Sequence, residues 1–176
     1  MTASNPMTPE ELAYLLESSL EIIQSEADAL GPDLMAWRPA EGAWSINEVI
    51  GHLIEADRRG FYGRIVILTT KDNPKLEAWD QEEVARERAD DEKDGFALLE
   101  EFTSLREDGI ALVEGLTPEQ LARVGQHPVV GELSVSDVLH EWIYHDRIHI
   151  QQILDISKAL MWENMGAARK FSQPEI

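Results

Sequence analysis

The chain has 176 residues and no cysteine, and 34 acidic against 15 basic residues give it a formal net charge of −19. That length suits a single domain over residues 1–176 that buries a core without cross-links, while the missing thiols exclude disulfides, thiolate nucleophiles and thiolate metal ligands together. The charge repels a phosphate backbone, and no apolar run approaches the roughly 20 residues of a membrane span, so neither nucleic acid nor a membrane is expected as a partner.

Met1 to Glu10 carry neither the basic nor the apolar region of a secretory signal, so the chain reads as cytoplasmic, which the lack of cysteine accommodates. Thr8-Pro9-Glu10-Glu11 pairs a capping hydroxyl with an acid three positions on. It predicts helix 1 from about Pro9 to Leu30, with Leu12, Leu15, Leu16, Ile22 and Ile23 as inner stripe and Gly31-Pro32 as its stop. Ser45-Ile46-Asn47-Glu48 opens helix 2, from about Ile46 to Leu68. The connection that follows, Thr69 to Lys93, is roughly 25 residues long, too long for the turn between antiparallel neighbours, so helices 2 and 3 are expected to run parallel. Within it, Gln81 to Glu92 reads as a short exposed helix or mobile lid, and Trp79 as the residue that docks inward. Helix 3 spans about Asp94 to Leu116, where Phe96, Leu99, Phe102, Leu105, Leu112 and Val113 recur mostly at three- and four-residue steps. Thr117-Pro118-Glu119-Gln120 starts only a short helical turn, and Val129-Val130 allow a short extended piece. Ser134-Val135-Ser136-Asp137 then opens helix 4, about Val135 to Leu160. The fold class is all-α, a helical bundle.

Helix 4 holds the strongest chemical signal. His145 and His149 lie one turn apart and about 40° apart around the axis, so both can reach one ion. Val138, Trp142, Ile153 and Ile156 share their side, which turns the pair toward the core. His140 points roughly 140° to 180° away, and His127 lies in a Pro- and Gly-flanked loop, so neither is a natural third ligand. His52 is better placed, two turns past the Ser45 cap on the side of Val49, Ala56 and Gly63. With helices 2 and 4 antiparallel, His52 sits roughly 10 Å from one bundle end and the pair roughly 17 to 23 Å from it. A three-His site therefore requires helix 4 to overhang helix 2 by a turn or two. Three neutral imidazoles suit Zn, Ni, Fe or Mn and leave positions open for water or substrate. Glu48, Glu55 and Gln152 are placed to orient imidazoles or accept a proton, Glu48 being also the capping acid, and Glu48 or Asp146 are the candidates for a fourth ligand. An H-x-x-x-H pair also arises from helical composition, so on spacing alone a metal site and satisfied core imidazoles both stand.

The string Trp44-Ser45-Ile46-Asn47-Glu48-Val49-Ile50-Gly51-His52-Leu53, with His145-Asp146-Arg147-Ile148-His149-Ile150-Gln151-Gln152-Ile153 further on, resembles the DinB-like superfamily of bacterial metal-binding four-helix bundles over about Pro9 to Ser157. The resemblance implies an up-down-down-up bundle with a long crossover between helices 2 and 3, and one divalent ion on His52, His145 and His149. It implies no DNA binding, in agreement with the charge. Relatives include bacillithiol- or mycothiol-dependent S-transferases and a mycothiol-dependent maleylpyruvate isomerase, and are often homodimers. The chain lacks an extension after about Ser172, which counts against the isomerase; Trp162, Met165 and Phe171 in the tail are apolar residues that could close the bundle end or cover a neighbour.

The leading functional expectation is therefore a metal-dependent enzyme that attaches a small thiol to an electrophilic small-molecule substrate, with Arg58, Arg59, Arg64 and Arg147 as candidates to hold the acidic thiol, or else as surface salt-bridge partners. The alternatives are metal-assisted hydrolysis with Glu48 or Glu55 as base, and a non-catalytic stress protein in which the ion ties helices 2 and 4 together.

Overall fold

The structure, a computed structural model, describes residues 7–172. Its elements are α1 (Pro9–Leu30), a short α2 (Pro32–Met35), α3 (Ile46–Glu55) continuing through a π turn (Ala56–Phe61) into α4 (Tyr62–Thr70), α5 (Gln81–Arg88), α6 (Gly95–Glu114), α7 (Pro118–Leu121), a hairpin of β1 (Val124–His127) and β2 (Gly131–Ser134), α8 (Val135–Asn164) and α9 (Arg169–Ser172). All four caps read from the sequence close as reciprocal capping boxes: Thr8 with Glu11, Ser45 with Glu48, Thr117 with Gln120 and Ser134 with Asp137. Each box satisfies amides that the first helical turn leaves without partners, so these starts are set locally.

Two buried clusters give the direction of every bundle helix. One gathers Leu20, Ile23 and Ala27 of α1, Ile46 to Ile54 of α3, Leu98 to Phe102 of α6 and Ile150 to Ile156 of α8. The other gathers Leu12 and Leu16 of α1, Phe61 to Leu68 of the π turn and α4, Val113 of α6 and Val135 to Trp142 of α8. The first thus joins the C-terminal halves of α1 and α8 to the N-terminal halves of α3 and α6, and the second joins the complementary ends. The order is up-down-down-up, with the second and third bundle helices parallel and the chain from residue 71 to 94 as the crossover that parallel neighbours need.

Between the clusters lies a polar layer. Ser19 of α1, Asp57 of the π turn, Arg106 of α6 and Asp146 of α8 are all fully buried at mid-bundle. Arg106 fills the gap between Leu105 and Leu112 in the helix 3 stripe, where the true inner face runs Leu99, Phe102, Arg106, Gly109, Val113, and Phe96 is exposed. On α1, Leu20 and Ala27 are buried where Leu15 and Ile22 are only half-buried.

Departures from the sequence reading concentrate outside the bundle helices. A two-stranded antiparallel hairpin pairs Gly125 with Leu133, and Val129 and Val130 form its exposed tip instead of a strand. The crossover docks through Pro74 and Leu76 as well as Trp79, because Pro74 and Leu76 share main-chain bonds with Gln126 of β1 (Leu76 N–H to Gln126 O, and Gln126 N–H to Pro74 O, both 2.8 Å). Trp79 is only half-buried. α5 is the expected exposed helix, capped by Asp80 and tied down at its far end by Arg88, which bonds Glu55, Asp90 and Glu101. Of the tail, Trp162 and Phe171 stay exposed and close no bundle end, while residues 173–176 of it lie outside those described. No helix among the described residues is long and apolar enough to cross a membrane.

Candidate metal centre and its cavity

The bundle brings His52, His145 and His149 together, one nitrogen from each lying within 4.8 Å of the others. The register that the sequence left conditional is met because α8 extends to Asn164, so the histidine pair stands roughly 22 to 28 Å from the end of α8 while His52 stands about 9 Å from the start of α3. The overhang, nearer three turns than one or two, is flanked by the chain between α2 and α3: Pro39, Ala43 and Trp44 border a groove with Ile148, Gln152 and Ile156. Trp44 from that segment lies tilted against His52, ring centroids 5.4 Å apart.

The donor set fits a divalent transition metal. His52 Nε2 and His145 Nε2 are 3.1 Å apart. Nitrogens held by one ion at about 2.0 to 2.1 Å stand about 2.8 to 3.0 Å apart in an octahedral and about 3.3 to 3.4 Å apart in a tetrahedral arrangement, so this separation lies between the two. His149 donates from Nδ1 to Gln152 Oε1 at 2.8 Å, which fixes its tautomer and leaves Nε2 with a free lone pair. Burial, and then the neighbouring His149, lowers the His52 pKa to about 4, and burial together with His149, His52 and Arg106 lowers His145 to about 3. His149 is lowered as well, by burial, against the opposing pull of Gln152 and Asp146. The three rings are therefore neutral near pH 7, the form that ligates. His145 Nδ1 is buried without a hydrogen-bond partner, so that imidazole is not a satisfied core group.

No nearby carboxylate closes the cluster. Glu48 is held by its cap and by Arg38 at 2.9 Å. Glu55 is buried and receives Arg58, Arg59 and Arg88; burial raises its pKa, but the bonds from Arg59, Arg58 and Arg88 outweigh it and the carboxyl is held low. Asp146 turns to Arg106, which spans to it at 2.6 and 2.9 Å and to Asp57 at 2.8 and 3.1 Å, with Trp142 Nε1 donating to Asp57 at 2.7 Å. The expectations that Glu55 orients an imidazole or acts as base, and that Glu48 or Asp146 supplies a fourth ligand, are thus not met, since Ser45 and Arg38 hold Glu48 and arginines hold Glu55 and Asp146. Gln152 does orient a histidine. Arg106 went unread because its partners lie 40 and 49 residues away; a cation at a core-facing position of an apolar stripe is the signal that marks it.

The π turn sits between His52 and the deeper cavity. Its wide backbone brings the Arg58 carbonyl against Gly63, where any Cβ would collide with it, so this glycine permits the turn. π turns inside α-helices recur at functional sites because they re-aim side chains. Here the turn aims Asp57 inward at Arg106 and places Ala56, Gly60 and Phe61 on the wall of a cavity of about 680 Å³. The remaining walls come from α4 (Arg64), the crossover (Trp79), the hairpin (His127, Val129, Val130) and α8 (Val138, Glu141, His145). His145 belongs to both cluster and cavity, packing edge-on to Phe61. Of the four candidate arginines, Arg58 and Arg59 are spent on Glu55, Arg147 donates to Leu15 O at 3.4 Å, and Arg64 alone lines the cavity. His127 lies in the cavity beside Arg64, while His140 is exposed on α8 and bonds Ser136 O. Glu141, one turn before His145, was missed; its spacing from that histidine was the available signal.

A family model for the DinB superfamily matches residues 15–153. The chain belongs to the DinB superfamily. Among relatives of this DinB chain, "Putative metal-dependent hydrolase YfiT" of Bacillus subtilis is 26% identical over 126 residues, 69% of this chain and 68% of that one. A counterpart from Oceanobacillus iheyensis, OB0782, bears the same description and is 26% identical over 121 residues, 69% of each chain. The solved structure of YfiT superposes on this DinB fold with a TM-score of 0.79, covering 92% of this chain and 93% of that one at 18% identity, and is described as having an unusual four-helix bundle topology.

Proposed function

We propose that this DinB protein is a divalent-metal-dependent enzyme in which His52, His145 and His149 hold the ion, and that it transfers a small thiol to an electrophilic substrate. The observation that carries this reading is the cluster itself: three neutral imidazoles converge while Glu48, Glu55 and Asp146 are committed to arginines, and one of the three, His145, also lines a cavity of small-molecule size. A bound ion supplies the lowering of pKa that turns a coordinated thiol or water into a nucleophile. A thiol, with an ordinary pKa near 8.5, sheds its proton without a neighbouring base, which suits a site whose Glu48, Glu55 and Asp146 are all tied to arginines. Gln152 holds His149 in its ligating tautomer, and the Arg106 layer fixes the helix turn that carries His145. A cytoplasmic location belongs to the same reading, since small thiols stay reduced there.

Hydrolysis is the second reading, favoured by the description of the relatives and by Glu141, which lines the cavity one turn from His145 with no hydrogen-bond partner among the described residues and so is available as base.

The test is elemental analysis of protein purified without chelator, on the wild type, His52→Ala and His145→Ala, followed by turnover assays with 1-chloro-2,4-dinitrobenzene plus cysteine and with p-nitrophenyl acetate alone. About one equivalent of metal in the wild type and its loss in both variants is the expected result. Metal-dependent thiol consumption supports transfer; thiol-free ester cleavage that falls at least tenfold in Glu141→Gln supports hydrolysis. A wild type that takes up no metal even on reconstitution defeats both.

A further inference from the structure

Arg64 stands out in the cavity because its charge is unmatched. It projects from α4 into the cavity that Trp79 and His127 also line, and among the described residues its hydrogen bonds run from Nη2 alone, to Glu77 O at 3.2 Å and to His127 Nε2 at 3.1 Å. Neither partner supplies a negative charge: the first is a carbonyl, and the second is an imidazole whose pKa is lowered by burial and by Arg64 itself. Nε is buried with no partner, and Nη1 makes no hydrogen bond among the described residues. Arg64 is half-buried, and leaving its buried Nε–H unpaired has a cost in free energy, in a chain with a large excess of acids. Three of those acids, Glu132, Asp137 and Glu141, line the same cavity, yet none pairs with Arg64; Asp137 is held by Ser134 at 2.6 and 2.9 Å. Arg58 and Arg59, on the same bundle helix, are by contrast paired with Glu55. The rest of the wall is largely apolar and aromatic.

We propose that Arg64 is the anion-binding residue of this cavity, and that its ligand is a small organic acid whose carboxylate bonds the guanidinium while its apolar body lies against Trp79 and Phe61. The assignment deepens the proposed function by naming the substrate class, and only the reaction, not the binding, rests on that reading. The carboxylate end would sit at the α4 and hairpin side of the cavity, with the remainder of the molecule extending toward His145. His127 lies against Nη2 and does not neutralise the guanidinium.

The binding test uses benzoate and its neutral counterpart benzamide, titrated into metal-free protein so that neither can report on a metal. The readout is the indole N–H shift of Trp79, assigned with Trp79→Phe. Wild type is expected to bind benzoate at least tenfold more tightly than benzamide, the size of one charge-assisted pair. Arg64→Gln is expected to erase that preference and Arg64→Lys to restore part of it, with thermal unfolding checking that each variant is folded. Equal affinity for the two ligands, benzoate binding unchanged in Arg64→Gln, or no saturable benzoate binding at all would each overturn the assignment. His52→Ala keeps the benzoate preference if the anion site is real even when metal binding is lost, so failure of the metal reading and failure of this one are separable.

Discussion

His149 shows how one residue's role depends on the atom it leaves free. Its Nδ1 proton is held by Gln152 Oε1, so Gln152→Leu is expected to release the ring and weaken metal binding by about 10- to 100-fold, measured by competition with a chelator, while the fold persists. An unchanged affinity would show that packing alone orients the imidazole. The other two rings make the metal-free protein pH-sensitive. Their folded-state pKa values fall from 6.5 to about 4 for His52 and about 3 for His145, so below pH 6.5 the unfolded chain binds protons that the folded chain refuses. Their contribution is complete above the unfolded value and is lost as pH falls toward the folded ones, up to roughly 3 kcal/mol for His52 and roughly 5 kcal/mol for His145. With chelator present, the urea midpoint of the wild type should drop more between pH 7.5 and 5 than that of His52→Phe/His145→Phe. Parallel drops would contradict the assignment.

Among the elements, the π turn and the layer behind it decide how the site is held. Asp57 enters from the π turn, Arg106 from α6 and Asp146 from α8, so one guanidinium links three of the four bundle helices next to His145. Burial, with the Asp146 charge added, raises the Asp57 carboxyl, while Arg106 and Trp142 oppose that rise. Removing the cation strands two carboxylates in the interior. Arg106→Met is therefore expected to destabilise the protein by about 3 to 5 kcal/mol in urea unfolding, and Arg106→Met combined with Asp57→Asn and Asp146→Asn to recover much of the loss. If the single and triple variants unfold alike, the layer contributes through shape and not through charge. The helices carrying these residues were legible, since caps and apolar stripes act within a few residues; helix 1 ends where Gly31-Pro32 stops it. The hairpin was not legible, because each four-residue strand is held by pairing with the other and with the crossover at Leu76, contacts that leave little trace in local composition.

For the whole molecule, the net charge of −19 sets a self-repulsion that the surface ion pairs do not cancel. Raising NaCl from about 10 mM to 0.5 M shortens the screening length from roughly 30 Å to under 10 Å, and thermal unfolding should shift upward by several degrees. A downward shift would mean that pairs such as Arg38–Glu48 and Arg58–Glu101 outweigh the repulsion. The same chain divides cleanly between what its order dictated and what its folding decided. The helices, their starts and the facing of His145 and His149 follow from sequence, because helical pitch makes residues four apart neighbours wherever the helix lies. The meeting of His52 with that pair, the capture of Glu55 and Asp146 by arginines, and the unmatched Arg64 in a cavity with His127 depend on helix overhang, crossover docking and hairpin placement. Those are relations between segments tens of residues apart, set by how the two apolar clusters pack around one polar layer, and no local spacing encodes them.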